Sequence, residues 1–180
     1  MPEVQLRTER LLLRPIQESD IPVLVPLLGA WEVVENTLRV PYPYTEADAR
    51  AFLDKVRSNP VGCHFGIYEA ASLKLCGGIG LTVDPDHRRA ELGYWIGHPY
   101  WGKGYATEAA RTVVRYGFEE LKINRIFAGV FSGNKASENV LRKLGFQHEG
   151  CHREVYHRWG KFLDSEEYAL LAREWRGDAH

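Results

Sequence analysis

A glycine-rich stretch in the middle of the chain carries the strongest chemical signal in the sequence. It runs from Gly93 to Ala106, as GYWIGHPYWGKGYA, and joins a run that predicts a strand to a run that predicts a long helix. Backbone N–H groups of such a loop point into a concavity, and the helix dipole adds partial positive charge. This arrangement favours a phosphate or pyrophosphate, and glycines permit its close approach because they lack a Cβ atom.

Three interpretations of this loop stay open on the residues alone. The first is a strand-to-helix turn that needs glycine only for its backbone conformation. The second is a nucleotide-hydrolysing P-loop, and the third is a pyrophosphate cradle for coenzyme A. The spacing from Gly97 to Gly102 and Lys103 matches GxxxxGK. Gly104, however, stands where a P-loop needs a Ser or Thr to bind Mg²⁺, which argues against nucleotide hydrolysis.

The elements that position the loop are predicted from hydropathy periodicity. Apolar runs predict seven strands, over residues 10–16, 64–68, 75–83, 90–96, 124–131, 148–156 and 162–171. Helical spacing and cap signals predict four helices, one from Ser19-Asp20 to about Gly29 and others over 45–57, 107–121 and 134–144. The turn sequence Asp84-Pro85-Asp86 predicts that strands three and four form an antiparallel hairpin. We therefore predict one mixed α/β domain over residues 1–180.

Composition narrows the class of protein. The 180 residues are 44% hydrophobic and 26% charged, with a net charge of −1, as in a globular domain without a broad nucleic-acid surface. Cys63, Cys76 and Cys151 form no CxxC pair and match no zinc pattern, which favours a reducing cytoplasm and no metal. Residues 1–10 lack the apolar core of a signal peptide, and no apolar run is long enough to cross a membrane.

The order and spacing of these pieces resemble the GNAT superfamily of N-acetyltransferases, in the branch of the ribosomal-protein N-terminal acetyltransferases (Rim type). The matching segments are TERLLLRP at 8–15, AELGYW at 90–95, WGKGYATEA at 101–109, NKASEN at 134–139, LGF at 144–146 and GKFLD at 160–164. They cover nearly the whole chain. The resemblance implies a single-domain GNAT fold of about seven mostly antiparallel strands and about four helices, with the sheet splayed between strands four and five.

The resemblance also implies that acetyl-CoA binds in that splay. The family loop Q/R-x-x-G-x-G/A aligns with Trp101 in its first position, a departure common in this branch, and with Gly104 and Ala106 in its two small positions. Backbone amides of strand four are implied to hold the pantetheine arm and to polarise the thioester carbonyl; they belong to Tyr94, Trp95 and Ile96. The other implied cofactor contacts are Trp101, Gly102, Lys103, Gly104, Tyr105, Ala106, Asn134, Lys135 and Arg142, with the three cations as candidates for the 3′-phosphate.

Acetyl transfer to an amine needs an acid for the leaving thiolate, and no cysteine nucleophile if the amine attacks directly. Ser137 is implied as that acid because this branch carries a Ser three residues after Asn134. Leu141 occupies the position where many GNAT enzymes have a tyrosine acid. Asn134 is expected both to cap its helix and to contact the pantetheine or thiolate region.

The same reaction needs a base for the amine, and Glu91 is the candidate, acting through water. It lies between Ala90 and Leu92 on strand four. The alternative is a surface carboxylate paired with Arg88 or Arg89. His98, His148 and His152 are alternative bases.

The acceptor side of the site is predicted from four aromatic residues and from the resemblance. Aromatic side chains expected to line its side are Trp31, Tyr42, Tyr44 and Tyr100, the alternative for each being core packing or loop anchoring. The implied acceptor is a primary amine, at a protein or peptide N-terminus of ribosomal type, attacking directly in a ternary complex. The alternatives are a small-molecule amine (an antibiotic, a polyamine or an aminoacyl conjugate) and a non-catalytic acyl-CoA-binding regulatory domain. Nucleic acid and membrane are not expected as partners, and the chain is expected to be a monomer or a homodimer.

Overall fold

Eight strands form one sheet in the computed structural model, which describes residues 4–58 and 62–177. In chain order the strands are β1 (Leu6–Arg7), β2 (Leu11–Arg14), β3 (Cys63–Glu69), β4 (Leu75–Asp84), β5 (Arg89–Ile96), β6 (Arg125–Phe131), β7 (Gln147–Arg158) and β8 (Lys161–Leu171). The order across the sheet is β1-β2-β3-β4-β5-β6-β8-β7. The β5–β6 pair is parallel and every other neighbouring pair is antiparallel.

Five α-helices cover the two faces of the sheet within the described residues. They are α1 (Ile21–Leu28), α2 (Trp31–Val34), α3 (Glu46–Arg57), α4 (Tyr105–Glu119) and α5 (Lys135–Lys143). None of these helices is long and apolar enough to cross a membrane.

The predicted mixed α/β fold is confirmed, and the structure adds two short elements to it. Strand β1 has two residues and helix α2 has four, so neither is long enough to show a hydropathy period. The predicted span also includes residues 1–3, 59–61 and 178–180, which lie outside the described residues.

Within the described residues, a side-chain cap begins two of the five α-helices, α3 and α5. The side chain of Thr45 accepts a hydrogen bond from the Asp48 N–H, and Asp48 accepts one from the Thr45 N–H, as the sequence predicts for α3. The carboxylate of Asp20 is used differently, because it accepts hydrogen bonds from Arg14 and from the hydroxyl of Tyr68. Asp20 therefore joins the start of α1 to strands β2 and β3.

The two faces of the sheet bury different cores. Ala90 and Leu92 of β5 point to the same face as helices α4 and α5, where they pack with Val113. Trp95 of the same strand points to the opposite face and packs with residues of α1 and α3 such as Leu24. We call these the α4 face and the α1 face.

The predicted splay lies between β5 and β6, the fourth and fifth of the predicted strands. These strands pair only over Arg89–Glu91 and Arg125–Phe127. Beyond that point β5 stays paired with β4, whereas β6 stays paired with β8. A gap therefore opens along Leu92–Ile96, and among the described residues no strand pairs with the backbone at this edge.

Candidate active site

The register of β4 and β5 decides which backbone amides face the gap. The N–H of Gly97 donates to the Cys76 carbonyl over 2.9 Å, and the β4–β5 register runs on from there without a shift. In an antiparallel pair, alternate residues direct their N–H and C=O groups at the same neighbour. The amide of Trp95 is therefore directed at β4, and those of Tyr94 and Ile96 at the gap. The expectation that the amides of Tyr94, Trp95 and Ile96 all contact the cofactor is therefore wrong for Trp95, whose amide does not face the gap.

Trp101 joins the end of β5 to the glycine loop, by which we mean residues 97–104. Its indole N–H donates to the carbonyl of Ile96 over 2.7 Å, and its ring contacts His98 edge-on at 4.8 Å. The ring remains 46% exposed. Trp101 thus fixes the loop to the end of β5 through its indole N–H while the residue stays partly exposed.

The glycine loop ends in two residues that need glycine for their backbone conformation. Gly102 and Gly104 have φ of +75° and +78°, and Gly104 is the N-cap of α4. A non-glycine residue held in this left-handed region costs roughly 1–2 kcal/mol. The first N–H groups of a helix have no intrahelical partner, so the start of α4 can bind an anion. The loop therefore fits the pyrophosphate of coenzyme A. Because Gly104 is the N-cap, α4 begins at Tyr105, two residues before the predicted start at 107.

Arg10 lies in the turn just before strand β2 and supports the glycine loop from there. Its guanidinium donates to the Lys103 carbonyl over 3.0 Å and to the carboxylate of Glu108 over 2.7 Å. The hydroxyl of Thr8 also donates to Glu108. Burial opposes ionisation of Glu108, but the hydrogen bonds from Thr8 and Arg10 outweigh it and lower its pKa. An ionised carboxylate next to the anion site is thus compensated by Arg10, a role that the sequence did not predict.

Each predicted phosphate-binding cation contacts a carboxylate in this structure. Lys103 lies within the glycine loop, with its ammonium 3.7 Å from Glu69 and 5.0 Å from the centre of the Tyr100 ring. Tyr105 donates to the same Glu69 carboxylate over 2.9 Å. Glu69 therefore orients both Lys103 and Tyr105 around the loop.

The other two predicted cations lie on α5 and share one carboxylate. Lys135 and Arg142 contact Glu138 at 2.9 and 3.4 Å, and Glu138 is buried while the two cations stay exposed. Arg142 also donates to the hydroxyl of Tyr168. The triad carries one net positive charge at the surface.

Ser137 lies in the first turn of α5, next to the gap. The side chain of Asn134 accepts a hydrogen bond from the Ser137 N–H over 3.1 Å, which is the predicted cap. The hydroxyl of Tyr94 lies 2.7 Å from Ser137 Oγ. Burial raises the pKa of Tyr94 to about 12, although its hydrogen bond with Ser137 acts in the opposite direction. Tyr94 is therefore a neutral phenol near pH 7, with its hydroxyl beside Ser137 and its amide directed at the gap.

Glu91 lies on the α1 face and forms an ion pair that sequence proximity did not indicate. Arg39 contacts its carboxylate at 2.7 Å, from the segment between α2 and α3. The predicted alternatives, Arg88 and Arg89, contact the Lys122 carbonyl and Asp84 instead. Arg88 lies in the turn before β5 with a positive φ, which directs it away from Glu91. Arg89 shares a face of β5 with Glu91, but it pairs with Asp84, its register partner on β4.

The segment that carries Arg39 is fixed by the far end of the sheet. Arg158, at the end of β7, donates to the carbonyls of Thr37 and Val40 over 2.6 and 2.7 Å, and also to that of Leu38. Three carbonyl contacts from one guanidinium hold this segment against β7. The position of Arg39 over Glu91 therefore depends on the β7–β8 hairpin.

The three histidines proposed as alternative bases are separated in the fold. His148 binds Glu166 at 2.7 Å and contacts Tyr168 on the α4 face. His98 packs on Trp101 at the glycine loop. His152 alone of the three lies on the α1 face with Glu91, 3.6 Å from Glu167.

The four aromatic residues predicted for the acceptor side divide into three groups. Trp31 and Tyr42 are exposed and contact each other at 5.1 Å, and both pack against Trp159 at the tip of the β7–β8 hairpin. Tyr44 is a core residue, only 9% exposed, and burial raises its pKa to about 12. Tyr100 lies beside Lys103 at the glycine loop. The structure thus corrects the expectation for Tyr44 and adds Trp159 to the contacts of Trp31 and Tyr42.

The cysteines have the properties of unreactive thiols. Burial raises the pKa of Cys63 to about 11 and that of Cys76 to about 12, and the pKa of the exposed Cys151 is also raised. A thiol that stays protonated is a poor nucleophile. This pattern is consistent with direct attack by the amine.

Comparison with known proteins identifies the class to which this fold and site belong. Residues 10–147 match the acetyltransferase (GNAT) domain, and the chain belongs to this family of N-acetyltransferases, which use acetyl-CoA. Over 176 residues it is 33% identical to the uncharacterized N-acetyltransferase p20 of Bacillus licheniformis, covering 96% of this chain and 98% of that protein. It is 27% identical to the [ribosomal protein uS5]-alanine N-acetyltransferase of Escherichia coli, covering 97% and 94%. The crystal structure of a GNAT-family acetyltransferase from Bacillus anthracis matches with a TM-score of 0.83 and 28% identity, covering 95% of this chain and all of that one.

Proposed function

We propose that this acetyltransferase modifies the primary amine at a protein or peptide N-terminus, which attacks acetyl-CoA directly from the α1 face. The observation that carries this proposal is the placement of two polar groups about the gap. The Tyr94–Ser137 pair lies on the α4 face, and the carboxylate of Glu91 lies on the α1 face of the same strand. The similarity to the uS5-alanine enzyme, which extends over almost the full length of both chains, supports a peptide acceptor.

Acetyl-CoA supplies the acetyl group as an activated thioester, and two parts of the chain are proposed to hold it. The glycine loop and the start of α4 bind the pyrophosphate through backbone N–H groups. The gap-facing amides of Tyr94 and Ile96 bind the pantetheine arm and polarise the carbonyl. Lys103 is the nearest predicted cation to the loop, while Lys135 and Arg142 present positive charge from α5.

Ser137 is proposed to protonate the departing sulfur. A serine hydroxyl is a weak acid, so it needs a partner that replaces its proton as the proton leaves. Tyr94 is placed for this, because its hydroxyl lies 2.7 Å from Ser137 Oγ. Tyr94 is then a positioning and proton-supplying residue behind Ser137, and Asn134 fixes the turn that carries the serine.

Glu91 is proposed to accept the proton of the amine through water. Its ion pair with Arg39 is exposed, with side-chain exposures of 66% for Arg39 and 32% for Glu91. Exposed pairs contribute about 1 kcal/mol or less, so an acceptor or water can displace Arg39 at small cost. Arg39 thereby holds the carboxylate in place on the α1 face without removing it from reach.

The test is a CoA-release assay with acetyl-CoA and two sets of acceptors, short N-terminal peptides and small amines. Release with peptides, abolished by N-terminal blocking, is the expected result. Release with small amines alone would replace the peptide acceptor by a small-molecule one. Tight CoA binding with no release on any amine would contradict the proposal and favour a non-catalytic acyl-CoA-binding domain.

A further inference from the structure

Two glycines leave a notch on the α1 face where the sheet opens. Glu91 of β5 pairs with Phe127 of β6, so two residues further along Gly93 and Gly129 occupy matching positions on the two sides of the gap. Both are exposed, and an added Cβ at Gly93 would meet no protein atom within 4 Å. The neighbouring Ala128 is buried on the α4 face, which assigns Gly129 to the α1 face. The notch is therefore open over Gly93, whereas over Gly129 its wall is formed by the Ser165 hydroxyl, 2.9 Å from an added Cβ, and by a carboxylate.

A carboxylate lies directly over one of these glycines. Glu167 of β8 is the register partner of Gly129, and a Cβ on Gly129 would lie 3.2 Å from its Oε1 atom. The hydroxyl of Ser165 donates to the same oxygen over 2.7 Å. Because Ser165 is 1% exposed, this hydrogen bond fixes the carboxylate in a defined position.

The charge of this carboxylate is less compensated than that of Glu91. Within residues 4–58 and 62–177, no Lys or Arg forms an ion pair with Glu167, and its ionic contact is His152 at 3.6 Å. Glu91, on the other wall of the notch, is paired with Arg39. Burial raises the pKa of Tyr156 on β7, and the charges of Glu167 and Glu91 raise it further against the opposing charge of Arg39.

We propose that Glu167 binds the protonated acceptor amine over the notch formed by Gly93 and Gly129. The inference rests on the proposed function, which it deepens by naming the acceptor class. A carboxylate binds a primary ammonium group through charge-assisted hydrogen bonds. A notch that is one side chain deep admits an amine carried on a narrow substituent. Glu167 holds the ammonium until Glu91 removes its proton, so it is a specificity-determining residue that contacts the substrate.

The first test compares two neighbouring carboxylates of β8. Glu167→Gln is expected to raise the acceptor KM about tenfold to a hundredfold, as for the loss of a charged hydrogen bond, with the Kd of CoA unchanged. The control is Glu166→Gln, because Glu166 points to the α4 face, where it contacts His148 and Ser132. A Glu167→Gln enzyme with the wild-type acceptor KM would overturn the proposal.

A second variant keeps the proposal testable if Glu167→Gln does not fold. Gly93→Ala places a methyl group where it meets no protein atom, so the melting temperature is expected to stay at the wild-type value. The methyl group fills the notch and is expected to raise the acceptor KM most for amines on branched carbons. An unchanged KM for all acceptors would show that the notch is not used.

Calorimetric binding to the enzyme–CoA complex separates this inference from the proposed function. The probes are a short peptide that begins with alanine and 1,4-diaminobutane. A wild-type enzyme that binds these amines through Glu167 and releases no CoA contradicts the proposed function but supports the inference. Acetyl transfer with an acceptor KM that is independent of Glu167 contradicts the inference alone. A wild-type enzyme that neither binds nor acetylates an amine overturns both.

Discussion

The hydroxyl of Tyr94 lies 2.7 Å from Oγ of Ser137, and this contact joins the open edge of β5 to the first turn of α5. The two residues are 43 positions apart in the chain. Their contact places two hydroxyl donors in series at the gap where the thioester is proposed to bind. The chain carries a leucine at 141, so the proposed acid of this site is Ser137 with Tyr94 behind it.

Removing either hydroxyl should slow chemistry more than binding. Ser137→Ala is expected to lower kcat about a hundredfold, because a general acid contributes at least about that factor. Tyr94→Phe should lower kcat less, since Ser137 would remain in place. Single-turnover kinetics and the Kd of acetyl-CoA are the measurements. Equal losses in kcat and in acetyl-CoA affinity would show instead that these hydroxyls only hold the cofactor.

Glu91→Gln should lower the rate of acetyl transfer well over tenfold while acetyl-CoA binding is retained. The reason is that a general base typically raises the rate about a hundredfold or more. Asp84→Asn is the matched control, because Asp84 lies on the same hairpin and forms a comparable exposed ion pair with Arg89. Steady-state rates across pH provide the readout. Unchanged turnover in Glu91→Gln would remove this carboxylate from the mechanism.

Arg10→Gln should weaken acetyl-CoA binding, by about tenfold, through the glycine loop. The substitution removes the hydrogen bond to the Lys103 carbonyl and leaves the ionised Glu108 uncompensated beside the proposed pyrophosphate site. The Kd from equilibrium titration is the measurement, and Arg7→Gln on the edge strand β1 is the control. Equal affinities for wild type and Arg10→Gln would show that the loop holds its shape without this contact.

Asp20 should make the stability of the fold depend on pH in the acid range. Burial opposes its ionisation, but hydrogen bonds from Arg14, the Gln17 N–H and Tyr68 hold its pKa below the usual 3.8. As the pH falls, the Asp20 carboxylate is therefore protonated first in the unfolded chain. The contribution of Asp20 to stability is complete well above pH 3.8, and it is lost as the pH falls through the folded-state pKa. Urea unfolding should show a lower midpoint for Asp20→Asn at about pH 6, with the difference from wild type shrinking in acid. A difference that stays constant down to about pH 2 would contradict this assignment.

Features that depend on near neighbours in the chain were predictable from the sequence. The capping box of Thr45 and Asp48 and the cap from Asn134 to Ser137 each join residues three positions apart. The positive φ of Gly102 and Gly104 likewise follows from residue type and the strand-to-helix transition. Such features are determined by residues within about one helical turn, so they do not depend on the rest of the chain.

Sequence periodicity also predicted the strands around the gap but could not give their order. The placement of β8 between β6 and β7 brings Glu167 over Gly129. No local pattern encodes that placement, because a strand buries its apolar face equally well beside several partners. The expectation for Tyr44 was wrong for the same reason, since the burial of this residue depends on which helices cover it.

The sequence by itself determined the class of enzyme, the glycine loop and the serine at the start of α5, all of which are carried by contiguous residues. Only the tertiary structure decided the partners of the functional side chains. The Glu91 carboxylate meets Arg39 across 52 residues, and the Tyr94 hydroxyl meets Ser137 across 43. Such contacts are fixed by strand register and by the packing of helices on the two faces of the sheet, which minimise the free energy of the whole chain and not of any one segment.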